Sequence, residues 1–335
     1  MVRIGVLDSD GAFSHPFFKG KLISKVDGSR KKQEHCVDPL GLSHGEYVCS
    51  FIFKENPDVE IVLVPIIGKN QKCSVKDMIE GIDFLIQQQV DIINLSLGDE
   101  YKYHIEVEKI CHKAVKQGIL IVSAFSNRKA EYTYPASFPF VLGVKCLDIA
   151  EPQYILKYDQ INNNIVFSTG YFSLYHLGIP KFYQGNSFAC AVISGCLSNY
   201  QDKYGKKMLD FSSSIFNRYY PYKTLKERRC CFLTNRMEDA LEQRFMKEIT
   251  NNVISMCFKE GIEKLMHIYD INGNFQILFI DHNDYAEIYN YKSIIQKYVE
   301  NHPNQEIVLR YPLFSLFERI SLQKKGKGTL NQFFI

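Results

Sequence analysis

The sequence has no uninterrupted apolar run long enough to span a bilayer, so neither a membrane-spanning helix nor a membrane partner is expected. Its opening residues, MVRIGVLDSDG, lack the charged leader, apolar core and small-residue cleavage site of a secretory signal. The ten cysteines are scattered from Cys36 to Cys257 with no C-x-x-C pair and no zinc spacing, so no metal is expected on them. Reduced thiols in a cytoplasmic protein are the simplest expectation, several of them packing as small hydrophobes. A strong charge imbalance is also missing. A net charge of +3 is too small to make nucleic acid the main partner, and the basic run from Lys223 to Arg236 reads as a solvated helix face or loop. Internal repeats and low-complexity stretches are absent. What remains is an ordinary composition, 46% hydrophobic and 23% charged, on a chain of 335 residues. That length accommodates one large α/β domain and a smaller one.

The first 200 residues alternate between short, β-branched apolar runs and segments of helical period. Arg3 to Leu7, Val59 to Val64, Ile92 to Ser96, Ile119 to Ala124 and Val141 to Lys145 have the near-continuous apolar character of strands covered on both faces. Between them, Ser74 can cap a helix whose stripe is Val75, Met78, Ile79, Ile82, Leu85 and Ile86, with Asp77 completing a capping box. Ile105 to Lys116 predicts a second helix, stopped by Gly118. This order predicts an α/β fold with a doubly wound, mostly parallel sheet. After Tyr204 the rhythm changes. Met266 to Ile271 and Phe275 to Ile280 flank Asn272-Gly273, a hairpin signal, and a helix over Tyr291 to Glu300 precedes a strand over Glu306 to Tyr311. The expected organisation is a domain over 1–204 and a small α+β appendage over 205–335.

Three segments hold residues with chemical potential. Asp8 ends the buried run IGVLD, His44 lies in SHGEYVCS at the start of a helix, and Ser187 follows Gly185 in GNSFACAVISG. Taken singly they are weak: a strand-end Asp is a common helix cap, His-Gly a frequent turn, and G-x-S a common triplet. Cys190, one helical turn past Ser187, is read as packing behind it. Asp270, Asn272 and Asn274 lack the spacing and downstream Glu of a calcium loop, and a turn explains them better.

Taken together, these segments resemble the subtilisin-like serine proteases, in which the catalytic groups follow in the order Asp, His, Ser. The resemblance covers residues 2 to 200 and extends between the segments. It includes HPFF at His15 to Phe18, INLSLG at Ile93 to Gly98, ILIVSAFSN ending at Asn127, and YPASFPFVLGVKCLD from Tyr134 to Asp148. The resemblance implies a serine endopeptidase working through an acyl-enzyme. Ser187 would be the nucleophile, His44 the general base, Asp8 the group that holds its tautomer, and Asn127 a donor to the oxyanion. Ser96, Leu97 and Gly98 would line a groove where an extended peptide or protein substrate adds to the strand edge. No cofactor is implied.

The sequence departs from that family at four places: Asp10 and Ser126 stand where glycines are expected, Asn186 replaces the Thr before the nucleophile, and Ala191 replaces a helix Pro. None removes a catalytic group. The short passage from His44 to Glu60 leaves no room for an inserted calcium loop, and only seven residues precede Asp8, so no pro-segment is expected. An intracellular protease must spare its neighbours. A dedicated processing role is therefore expected, such as removing the leader of a modified peptide. The alternative is a degenerate relative that holds an extended peptide without cutting it. The sequence leaves the oligomeric state open.

Overall fold

A computed structural model describes residues 1–26, 41–68, 72–98, 103–128, 132–146, 156–159, 164–167, 172–176, 179–183 and 185–205. Beyond these it describes 229–235, 252–266, 275–281, 290–302, 305–309 and 329–332, with residues 288 and 314. The chain divides into two compact units. The first comprises Met1–Leu147, Leu156–Leu174 and Phe182–Ser212, and the second Asp148–Ile155, Tyr175–Lys181 and Ser213–Ile335.

The first unit is built on an eight-stranded sheet. Its strands are β1 (Arg3–Ser9), β2 (Leu22–Lys25), β3 (Glu60–Ile67), β4 (Ile92–Leu95), β5 (Leu120–Ala124), β6 (Leu142–Cys146), β7 (Leu156–Asp159) and β8 (Asn164–Phe167). They lie in the order β2-β3-β1-β4-β5-β6-β8-β7, parallel throughout except for the β7–β8 pair. The winding direction reverses between β1 and β4. In an open parallel sheet, that reversal opens a crevice beyond the carboxyl ends of the strands.

Helices cover both faces, as the near-continuous apolar runs predict. On one face, Leu7, Val62, Val64, Ile93, Leu95 and Ile121 pack against α2 (Val75–Gln87) and α3 (Ile105–Lys116). Met78, Ile82, Leu85 and Ile86 of the predicted α2 stripe are buried there, each worth about 1.5–3 kcal/mol on leaving water. Ser74 caps α2 by accepting from Asp77 N at 3.0 Å. Strand residues alternate faces, so Asn94 points the other way, toward α4 (Asn186–Tyr204), where Cys190 and Ser194 donate to its Oδ1. Helix α1 (His44–Glu55) packs on α4 closely enough that a Cβ on Gly195 would fall 2.6 Å from Ile52 O. Strands β9 (Phe172–His176) and β10 (Ile179–Tyr183) form a separate two-stranded sheet.

The second unit corrects the expected α+β appendage. Its five strands are β11 (Arg229–Thr234), β12 (Asn252–Cys257), β13 (Ile277–Asp281), β14 (Glu306–Leu309) and β15 (Thr329–Gln332), in the order β12-β11-β13-β14-β15. Every pairing is parallel. Of the expected hairpin, the described residues show Met266 ending helix α5 (Phe258–Met266) and β13 pairing in parallel with β11 on one side and β14 on the other. Residues 267–274, including Asp270, Asn272 and Asn274, lie outside the described residues. Part of the supposed basic loop is strand β11, buried beyond Arg229, and 223–228 lie outside the described residues. The predicted helix is present as α6 (Lys292–Asn301), and α5 and α6 share a core with Cys231, Leu233, Leu278, Ile280, Ile307 and Leu309. On the other face Phe232 stacks on Phe279 at 4.4 Å. Among the described residues no helix is long and apolar enough to cross a membrane.

Candidate active site

The first unit holds all seven residues singled out above, at the carboxyl end of its sheet or on the helices that begin there. Asp8 is the next-to-last residue of β1 and is fully buried. Its Oδ1 accepts from Ser9 N at 2.7 Å and from His44 Nδ1 at 2.8 Å. An ionised carboxylate only accepts, so the imidazole proton sits on Nδ1 and the Nε2 lone pair is left available. Burial pulls the His44 pKa down, but the Asp8 charge and hydrogen bond outweigh it and leave the imidazole above its usual value.

The join between β1 and α1 sets this pair. Gly45 N donates to Ser9 Oγ at 2.8 Å, one residue along from Asp8–His44 on both segments. The backbones approach so closely that a Cβ on Gly45 would lie 2.2 Å from Ser9 O. A capping box starts α1: Ser43 Oγ accepts from Glu46 N, and Glu46 Oε2 accepts from Ser43 N at 2.8 Å. The buried Glu46 uses its other oxygen, Oε1, to accept from Phe13 N at 2.8 Å. The S-x-x-E spacing at Ser43–Glu46 is the sequence signal for this cap.

Ser187 lies in the first turn of α4, where backbone N–H groups have no intrahelical acceptor. The N-cap is Gly185 at φ +150°, a conformation that disfavours side chains. Two bonds join Ser187 to the segment after β4: its Oγ donates to Ser96 O at 3.1 Å, and its carbonyl accepts from Ser96 Oγ at 3.0 Å. Asn94 Nδ2 donates to Ser96 Oγ in turn. The Phe188 ring lies 5.5 Å from that of His44. The Ser187 hydroxyl is thus bonded to the Ser96 carbonyl.

Asn127 follows β5. Its Oδ1 accepts from Asn186 N at 2.8 Å, which fixes the amide orientation and leaves Nδ2 as a donor beside Gly185. Of the proposed groove residues, Ser96 is buried in the bonds just described, Leu97 packs against the core under α2 and α3, and Gly98 is exposed. A Cβ on Gly98 would meet Thr133 Cγ2 at 2.6 Å. Thr133 Oγ1 accepts from Ser126 N, so it ties the 126–127 segment in place beside the 96–98 segment.

The departures have structural partners. Asp10 pairs with Lys25 Nζ at 2.5 Å and accepts from Gly11 N. Asn186 makes three side-chain hydrogen bonds, and Ala191 is buried in α4. In HPFF, His15 Nδ1 accepts from Phe17 N and caps a short 3-10 turn. Cys190 is buried, and burial drives its thiol far above the usual range; its Sγ donates to Asn94 Oδ1, which makes it a packing residue. Among the described residues no group of three His, Cys, Asp or Glu is placed to hold a metal.

Known proteins provide an independent comparison. The profile of the subtilase family (Peptidase S8) matches residues 1–214. The major intracellular serine protease of Bacillus subtilis is 27% identical over 219 residues, covering 59% of this chain and 67% of the relative. An intracellular serine protease of Paenibacillus polymyxa is 26% identical over 182 residues, covering 49% and 54%. Among solved structures, the prenylagaramide maturation protease PagA aligns at a TM-score of 0.48 and 23% identity, over 62% of this chain and 78% of that one.

Proposed function

The chain belongs to the subtilase family of serine endopeptidases, and from that premise we propose that Ser187, His44 and Asp8 carry out peptide-bond hydrolysis. The observation that best supports the reading is the 2.8 Å bond between His44 Nδ1 and buried Asp8 Oδ1. It commits the imidazole to the tautomer a serine nucleophile requires.

The reaction follows from these groups. Ser187 Oγ leaves Ser96 O, gives its proton to His44 Nε2 and attacks the scissile carbonyl carbon. The carbonyl oxygen gains the negative charge and is met by Asn127 Nδ2 and the Ser187 N–H. Asp8 stabilises the imidazolium. As the C–N bond breaks, His44 returns the proton to the leaving amine, and an acyl ester remains on Ser187. Water then attacks the ester carbon with His44 again as base, releasing the acid and restoring the hydroxyl.

The finer reading is a cytoplasmic processing enzyme. The names of the two intracellular relatives support the compartment. Its substrate would be a peptide or protein with a narrow cleavage sequence, and removal of a leader from a modified peptide is the form proposed. Residues 1–204 would carry the peptidase activity and 205–335 substrate recognition or self-association. A second reading, a non-cutting peptide binder, draws on the Ser187 Oγ bond to Ser96 O.

A fluorophosphonate probe separates the two readings. The peptidase reading expects stoichiometric labelling, with the adduct on Ser187 in the tryptic digest. A folded chain that stays unlabelled would favour the binder. Incubation with a peptide library tests the processing role: cleavage confined to a few related sequences supports it, and broad degradation overturns it.

A further inference from the structure

Asn186 commits every polar atom of its side chain within one small region. Oδ1 accepts from Cys146 N at 2.6 Å, and Nδ2 donates to Phe125 O at 3.0 Å and to Ser126 O at 2.7 Å. Its backbone N–H donates to Asn127 Oδ1 at 2.8 Å. One residue, 8% exposed, thus grips three consecutive residues, Phe125, Ser126 and Asn127, and the end of β6. It is also covalently joined to Ser187. We propose that Asn186 is a positioning residue that sets the oxyanion donor Asn127 at a fixed distance from the nucleophile.

The inference rests on the peptidase reading above. An amide suits this task better than the Thr that the family resemblance leads one to expect. Thr carries a single hydroxyl, one donor and one acceptor group, and cannot satisfy both carbonyls and the Cys146 N–H at once. The amide has two N–H groups, one for each carbonyl, with its oxygen left for Cys146. Because both Nδ2 hydrogens are committed, Asn186 has none to offer a developing oxyanion. Its influence on the reaction therefore passes through Asn127, and preorganised donors lose their effect when displaced by about an ångström.

This predicts a particular coupling, testable on the full chain with a fluorogenic peptide selected from a library for cleavage by the wild type. Asn127→Ala should lower kcat by on the order of 10²–10³, the magnitude known for such a donor in subtilisin. Asn186→Ala should lower kcat by on the order of 10², with KM nearly unchanged. In the Asn127→Ala background, Asn186→Ala should cost less than about 3-fold more, because the group it positions is already gone. The pH profile set by His44 should not move in any of these variants. If Asn186→Ala does not fold, Asn186→Thr, which retains a hydroxyl, provides the same cycle with a smaller first loss. Losses that multiply in the double variant would overturn the inference, as would a raised KM with unchanged kcat or an Asn186 variant of wild-type activity. A wild-type chain that neither hydrolyses peptides nor takes the fluorophosphonate would sink the peptidase reading first, and this inference with it.

Discussion

His44 is under two opposing influences, burial that favours its neutral form and a carboxylate that favours its charged one, and the carboxylate prevails. Acting as a base, it must be neutral to take the Ser187 proton. Activity should therefore be low at acid pH and rise as the imidazolium loses its proton, along a limb whose midpoint lies above the ordinary value of 6.5. Measuring kcat/KM from pH 5 to 9 checks this; a midpoint below the ordinary value, or a flat profile with chemistry rate-limiting, contradicts it. Asp8, His44, Asn127 and Ser187 could be put forward as candidates from sequence because each sits in a local motif that survives as a string of letters. Asn186 was visible only as a departure. Its partners, Cys146, Phe125 and Ser126, are 40 to 61 positions away in sequence, and no local pattern encodes such bonds. Ser9 was hidden for the same reason, since its bond to Gly45 spans 36 positions.

The join of β1 to α1 is the element on which the site depends most directly. Gly45→Ala places a methyl carbon against the Ser9 carbonyl, where only 2.2 Å is available, and backbone cannot yield as a flexible side chain can. The helix start must back away from the strand end and take His44 from Asp8. Stability should fall by about 1–3 kcal/mol, with kcat/KM down on the order of 10²-fold from the misplaced base. Urea unfolding and steady-state kinetics test both; wild-type values in the two would show that the join is slack. Strands β1, β3, β4, β5 and β6 were readable from their apolar runs because a parallel sheet covered on both faces demands such runs. The same rule explains the failed hairpin. Ile277 to Ile280 are all buried, the mark of a strand with neighbours on each side. Met266, the first residue of the expected first strand, ends an amphipathic helix that buries Phe258 and Ile262.

At the scale of the whole chain, residues 175–176 and 179–181 belong to the second unit although they precede residue 204. Sequence rhythm could not reveal this, because a segment's sequence position does not dictate which core it joins. A truncation ending at Tyr204 tests the proposed division of labour. If soluble, it should still take the fluorophosphonate, since all the proposed catalytic groups lie upstream, while losing most of its preference for the best library peptide over a generic one. Retained selectivity would leave 205–335 without a recognition role, and a folded but unlabelled product would place part of the active site in that region. The central claim, that Ser187 is the nucleophile of a peptidase, has a more direct test: hydrolysis of the selected peptide by Ser187→Ala, alongside its thermal unfolding. The account predicts a folded protein with a wild-type melting profile and turnover reduced by on the order of 10⁶. Near-normal turnover by folded Ser187→Ala would contradict it.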